Sequence, residues 1–294
     1  MVVGCWLSVV GSIATPSPHP EARQSAHVPT AFTAGYHPNH PSISPIMSEE
    51  KIETPQVEYN DDNITHLSDV DHIRTRPGMY IGRLGDGTNS EDGIYVLLKE
   101  AIDNSIDEFR MNAGKRIEVD IIDNKAVSLR DYGRGIPQGK MIEAVSQLNT
   151  GGKYDSKAFK KSVGMNGVGI KAVNFLSTHF EVRSYRDGQV RTAKFEKGII
   201  ISDTTEPTED ETGTYIYFEP DVSLFKNYSF HNDIVETMLR NYTYLNTGLA
   251  IMYNGRRILS RNGLEDLLKD NMTTDALYPI IHVKGEDIEI AFTH

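Results

Sequence analysis

The chain has 294 residues, with 30 lysines and arginines against 41 aspartates and glutamates, for a formal net charge of −11. Length gives about two domains at ~150 residues each and enough chain for a sizeable core, while the acidic balance excludes a module that coats nucleic acid with its whole surface. A single cysteine, Cys5, excludes an internal disulfide and suits a reducing compartment such as the cytoplasm, and no run approaches the ~18 apolar residues of a membrane helix.

Residues 1–47 stand apart. They hold seven of the thirteen prolines and four of the ten histidines, and their only charges are Glu21 and Arg23. Such a segment cannot bury enough apolar surface to offset its ordering entropy, so it is expected to be a disordered extension. Met1–Ala14 is apolar but lacks the basic start of a secretory signal. Met47-Ser48-Glu49-Glu50 reads as an ordinary translation start, consistent with a misassigned start codon upstream.

From residue 48 the pattern becomes that of a folded domain. Apolar residues at 94, 97, 98, 101, 102, 106 and 109 predict a helix over Ile94–Met111. Ile117, Val119 and Ile121 alternate with Glu118 and Asp120 as in a strand; Asp123-Asn124 is a turn signal, and Val127 and Leu129 begin a returning strand. A glycine-rich stretch at 164–169 opens a helix from about Ile170 to Thr178. Strand-like runs follow at Glu181–Tyr185 and Thr214–Phe218. The order helix, hairpin, Gly loop, helix, strands predicts an α+β fold, a two-layer α/β sandwich rather than a doubly wound parallel sheet. A second unit is expected from about Glu219, with a helix near 231–245 and a strand at Leu249–Tyr253.

Three patterns carry chemistry. Glu100, Asn104 and Asp107 fall at i, i+4 and i+7 on one stripe of the first helix, opposite its apolar face, with Asp103 and Glu108 beside them. Taken alone this reads as a solvated helix face. Against that, asparagine is a mediocre mid-helix residue and no lysine or arginine lies in the stripe, so the acceptors suit a hard cation such as Mg²⁺. The second pattern is Asp131-Tyr132-Gly133-Arg134-Gly135-Ile136-Pro137, an aspartate at a strand end followed by Gly-x-Gly. Alone it reads as a plain turn, yet an ionised carboxylate accepts only and would take a hydrogen bond from adenine's exocyclic amine. The third is Gly164-Met165-Asn166-Gly167-Val168-Gly169 ahead of a helix, whose backbone N–H groups suit an anion, with Lys153, Lys157, Lys160, Lys161 and Lys171 near in sequence. Alone it is equally a flexible loop with solvated lysines. No P-loop, HExxH, CxxC or GxSxG pattern is present, and the six histidines after residue 47 are scattered.

In this fixed order, Glu100-x-x-x-Asn104, Asp131-x-Gly133-x-Gly135 and Gly164-x-x-Gly167-x-Gly169 resemble the motif set of the GHKL ATPases, which include type IIA topoisomerase B subunits, Hsp90, MutL and histidine kinases. Arg76-Pro77-Gly78-Met79-Tyr80-Ile81-Gly82, Ile102–Glu108, Gly151-Gly152-Lys153-Tyr154-Asp155 and Thr212-Gly213-Thr214 resemble the topoisomerase branch, and Tyr95–Glu100 looks more like topoisomerase IV than gyrase. The resemblance covers about residues 59–294 and implies a Bergerat-type ATPase domain over 48–218, including an N-terminal dimerisation arm, then a partial transducer domain (ribosomal S5 domain 2-like) over 219–294.

The same resemblance implies the roles. Glu100 is the general base for the attacking water and Asn104 the Mg²⁺ ligand. Asp131 reads the adenine of ATP, helped through a water by Thr214. Arg134, Gly135, Ile136 and Pro137 line the base pocket. Lys153 lies near the nucleotide, and Gly164, Met165, Asn166, Gly167, Val168 and Gly169 roof the phosphates. Tyr59 on the arm reaches a partner protomer's ATP, and Ile64 lies on that arm. Implied partners are a second copy, a topoisomerase A subunit and duplex DNA, with no membrane. Three positions depart from the pattern: Val96 stands where a histidine often precedes the catalytic glutamate by four residues, Asn166 where the lid often has histidine, and Phe159 where it has tyrosine. The family's transducer also supplies a lysine to the γ-phosphate from a loop not met before His294, so the chain as given is expected to bind ATP and hydrolyse it poorly. The alternatives are another GHKL ATPase, MutL- or Hsp90-like, and an ATP-binding dimerisation module without efficient turnover.

Overall fold

The structure is a computed structural model that describes residues 67–150, 167–285 and 288–294. Two short helices, α1 (Asp69–Thr75) and α2 (Gly78–Ile81), lead to the long α3 (Gly93–Arg110). Ser68 caps α1, its side chain accepting from the Asp71 N–H at 3.1 Å. Before α3, the buried Asp92 carboxylate holds the entry loop, accepting from the Gly87 and Asn89 N–H groups at 2.9 and 3.2 Å and facing Arg83 at 2.7 Å. Helix α3 follows the predicted register: Ile94, Leu97, Leu98, Ala101, Ile102 and Ile106 are all buried.

Strands β1 (Arg116–Ile122) and β2 (Ala126–Asp131) form the expected hairpin. Asp123 and Asn124 both take positive φ, 51° and 56°, which aspartate and asparagine tolerate and which the twist of a tight hairpin favours. The chain continues through α4 (Met141–Ser146) and α5 (Gly169–Phe175) to β3 (Ser177–Arg186), β4 (Gln189–Glu196), β5 (Ile199–Pro207) and β6 (Gly213–Pro220). The predicted runs at 181–185 and 214–218 are the centres of β3 and β6; β4 and β5 were not expected.

Beyond residue 219, where a second unit was expected, the chain stays in the first. Helix α6 (Asn232–Leu245) is followed by β7 (Ala250–Tyr253) and β8 (Arg256–Leu259), and β7 pairs in parallel with β1. The physical reason is that β1 has an open edge, and the alternating Ile251 and Tyr253 bury the same way as Ile117 and Val119. Among the described residues the result is an eight-stranded sheet in the order β5-β4-β3-β6-β2-β1-β7-β8, antiparallel except at β1–β7. Next come α7 (Leu264–Asn271) and a separate hairpin of β9 (Ile281–Lys284) and β10 (Glu289–Phe292).

Helices α3 and α5 touch each other and lie on the sheet, α3 over β2 and β6, α5 over β3, β4 and β6. Between the layers lie Val119, Val127, Leu129, Phe180, Val182, Ile216 and Phe218, all buried. At roughly 1.5–3 kcal/mol for each large apolar side chain, this interface is the main source of stability. The other face of the sheet is polar, with Arg116 stacked on Tyr132 at 3.9 Å and Arg130 on Tyr185 at 4.0 Å. The predicted two-layer α+β sandwich is therefore the fold. Among the described residues no helix is long and apolar enough to cross a membrane.

Candidate functional site

The strand order builds the site. Because β6 inserts between β2 and β3, Thr214 lands beside Asp131, 83 residues earlier in the chain. The Asp131 carboxylate is almost fully buried, 4% exposed, at the end of β2. Its Oδ1 accepts from the Gly133 N–H at 2.9 Å and the Thr214 N–H at 3.0 Å; its Oδ2 accepts from the Ser105 hydroxyl on α3 at 3.1 Å. Burial pushes the carboxyl above the ordinary aspartate range, opposed by these three donors. Thr214 thus reaches Asp131 directly, through its backbone N–H.

The turn after Asp131 is shaped by close approach. Gly135 has φ 72°, and a methyl group there would lie 2.8 Å from the Tyr185 carbonyl oxygen, so both conformation and space demand glycine. The Ile136 carbonyl accepts from the Ser184 hydroxyl at 2.6 Å, and Ile136 packs against the core edge. Arg134 is clamped by Glu108 of α3: its backbone N–H and Nε donate to Oε2 at 2.9 and 3.0 Å and its Nη2 to Oε1 at 2.8 Å. That carboxylate raises the guanidinium's proton affinity further. Pro137, two residues past Gly135, is exposed. Glu108, read from the sequence only as flanking the stripe, is the residue that fixes the Arg134 wall.

The other end of the site lies along α3. Glu100 is half-buried, Asn104 exposed and Asp107 only 3% exposed, so the acidic stripe is not uniformly solvated. Gly169, the first residue of α5, meets Glu100 so closely that a methyl group there would overlap Oε2. The N-terminal turn of α5, with Gly167 and Val168 before it, is therefore laid against the Glu100 carboxylate. Asn104 donates its amide N–H to the Glu100 carbonyl at 2.9 Å, so the ligand chemistry of this side chain resides in its amide oxygen. Among the described residues no group of three or more His, Cys, Asp or Glu could cage a metal. One amide oxygen on a helix is a fit for Mg²⁺ that keeps its waters and takes phosphate oxygens.

Lys171 is buried, and its ammonium donates to the Thr150 carbonyl at 2.5 Å. Lys153, Lys157, Lys160, Lys161, Phe159, Gly164, Met165, Asn166, Tyr59 and Ile64 lie outside the described residues. Sequence reasoning missed Ser105 as an Asp131 partner and Ser184 as the hydroxyl that holds the Ile136 carbonyl. A serine one residue past Asn104, on the buried side of α3, was the available signal for the first.

Three separated segments thus converge: a carboxylate at a strand end with a glycine turn, an acid–amide pair on a helix, and glycine backbone at a second helix N-terminus. Residues 89–224 match the family described as histidine kinase-, DNA gyrase B- and HSP90-like ATPase, and form an ATPase domain of that family. Within it, the chain is a relative of the B subunits of bacterial type IIA topoisomerases, and a MutL- or Hsp90-like protein is not favoured. It is 48% identical over 237 residues to the DNA topoisomerase 4 B subunit of Borreliella burgdorferi, covering 80% of this chain and 39% of that protein. It is 34% identical over 264 residues to the DNA gyrase B subunit of Thermotoga maritima, covering 80% and 41%. The chain spans about two fifths of the length of these relatives. In fold it is similar to the 43K ATPase domain of Thermus thermophilus gyrase B, solved with an aminocoumarin, at a TM-score of 0.61 and 24% identity, covering 76% of this chain and 61% of that one.

Proposed function

We propose that the chain is the ATPase region of a topoisomerase IV B subunit, a cytoplasmic protein that uses ATP to close a dimeric clamp on DNA. ATP binds with its adenine amine donating to Asp131, against the wall of Arg134, Gly135, Ile136 and Pro137. Asn104 holds Mg²⁺, which would screen the phosphate charges. Gly164–Gly169 roofs the phosphates, with Lys153 nearby. Glu100 takes the proton of the attacking water. The arm around Tyr59 and Ile64 then engages a second copy, and a topoisomerase A subunit supplies strand cleavage.

The carrying observation is the contact of Glu100 with Gly169 on the same helix that donates Ser105 to Asp131. It sets the base and the support of the adenine acceptor about one and a half turns apart on one helix. The higher identity to the topoisomerase 4 protein than to gyrase B supports the first over the second. We also place the start of the transducer after α7, where Leu277, Val283 and Ile288 are 77%, 57% and 66% exposed on and around the β9–β10 hairpin, rather than at residue 219. Residues 1–47 are read as an extension with no part in catalysis.

The test uses a full-length B subunit. Glu100→Ala is expected to bind a non-hydrolysable ATP analogue normally and to lose turnover by roughly 10²–10⁴-fold. Asp131→Asn, which sets an amide N–H against the adenine amine, is expected to lose binding itself. Turnover surviving the first change, or normal affinity after the second, removes the assignment.

A further inference from the structure

Val96, four residues before Glu100 on α3, is apolar where the family pattern often has a histidine. At about 100° per residue, Val96 lies about 40° to one side of Glu100 and Asp103 about 60° to that same side, whereas Asn104 lies about 40° to the other. The flank of Val96 is therefore also the flank of Asp103. A second helix covers it. Tyr242, on α6, donates its hydroxyl to Asp103 Oδ1 at 2.5 Å, and Tyr242 and Val96 both pack half-buried against the core.

The register between the two helices is fixed at three levels. The His231 N–H, at the start of α6, donates to Tyr95 Oη at the start of α3 at 2.9 Å. Tyr242, in the last turn of α6, meets Asp103, which lies just past the middle of α3. At the far ends Arg110 Nε donates to Asn246 Oδ1 at 3.0 Å, and Asn246 in turn donates to the Tyr242 carbonyl at 2.9 Å. The two helices thus run in the same direction, and Tyr242 is held from its own backbone as well as from α3.

We propose that Tyr242 is the positioning residue for Glu100: through Asp103 it fixes the helical turn that carries the base and covers the flank on which Val96 offers no polar group. Burial and the negative charges of Asp103 and Glu100 hold the phenol well above the ordinary tyrosine range, so it stays a hydrogen-bond donor at any working pH. The proposal rests on Glu100 being the base.

The experiment is steady-state ATPase kinetics on a full-length B subunit. Tyr242→Phe keeps the ring and removes the donor. It is expected to lower kcat about tenfold, a fraction of what general-base catalysis supplies, with KM unchanged. Adding Val96→His to Tyr242→Phe is expected to restore most of kcat, because a side chain four residues before Glu100 faces it along the helix. If Tyr242→Phe leaves kcat intact while Glu100→Ala abolishes turnover, the positioning role is wrong and the base assignment stands. If kcat falls but Val96→His does not rescue it, or KM rises with it, Tyr242 merely packs α6 and the inference is overturned. If Glu100→Ala itself retains turnover, both readings fall, and they are told apart by that variant alone.

Discussion

The two ends of the site are built differently. The end proposed to take adenine is made from strands: Asp131 and Thr214 sit on neighbouring strands of the sheet, and the carboxylate accepts from three donors that come from β2's own turn, from β6 and from α3. The end proposed to take the phosphates is made from helix: Glu100 and Asn104 on the side of α3, and the first residue of α5 laid against Glu100. A sheet end tied from three directions is rigid before any ligand arrives. A helix N-terminus laid so closely against a carboxylate depends on having nothing between the two. Recognition should therefore survive damage to the phosphate end, and chemistry should not.

Gly169→Ala breaks this comparison most sharply. Its backbone is not in the left-handed region, so alanine suits the helix, and Gly to Ala in a helix gains up to about 1 kcal/mol. The added methyl group, however, falls on Glu100 Oε2 and must push the carboxylate aside. The expected result is a melting temperature that does not fall and a kcat down by about a hundredfold, within the range of a displaced general base. Calorimetric affinity for ADP should change little. A variant with full turnover would show that Glu100 does not act from the position seen here.

The adenine end should respond to pH instead. An amine donor needs the ionised carboxylate, and burial has raised the proton affinity of Asp131. ADP affinity is therefore expected to fall as pH drops through the raised value, close to tenfold per unit below it, with a midpoint above the ordinary aspartate value of about 4. The linked effect on folding has the opposite sense. A carboxyl whose native pKa is raised contributes stability that is complete below about 4 and is lost as pH rises through its native value. An ADP affinity flat from neutral pH down to that ordinary value would detach Asp131 from recognition.

What the sequence made legible follows the same division. The spacing of Glu100 and Asn104, the Asp131 turn and the glycine loop are local patterns, and the helix and hairpin that carry them have strong periodicity. Strands β4 and β5 escaped because β5 is an edge strand exposed along nearly its whole length, with Ile199, Ile200 and Ile201 at 61%, 44% and 55%, so no face alternates. The turns did announce them: Asp187-Gly188 and Lys197-Gly198 both take paired positive φ, and Asp-Gly between strands is a hairpin signal. The assignment of β7 and β8 to another unit failed for a different reason. A parallel partner more than 100 residues away leaves no local trace, and periodicity says that a strand has an inward face, not which sheet owns it.

Ser105 is the smallest lever and the one that ties the two ends together, because it lies on α3 next to Asn104 yet donates to Asp131 at 3.1 Å. Ser105→Ala fits its buried space and favours the helix. It removes one of three donors from the carboxylate, a loss of about 0.5–1.5 kcal/mol, which corresponds to roughly two- to tenfold weaker ADP binding. With less support for its charge, Asp131 should also hold its proton more tightly, so the acid midpoint of binding should move up. The two effects must appear together if one carboxylate both reads the base and depends on α3 for its ionisation. Weaker binding with a fixed midpoint would mean that Ser105 acts through the seating of α3 and not through Asp131, and kcat, set from Glu100 on the same helix, would then fall with it.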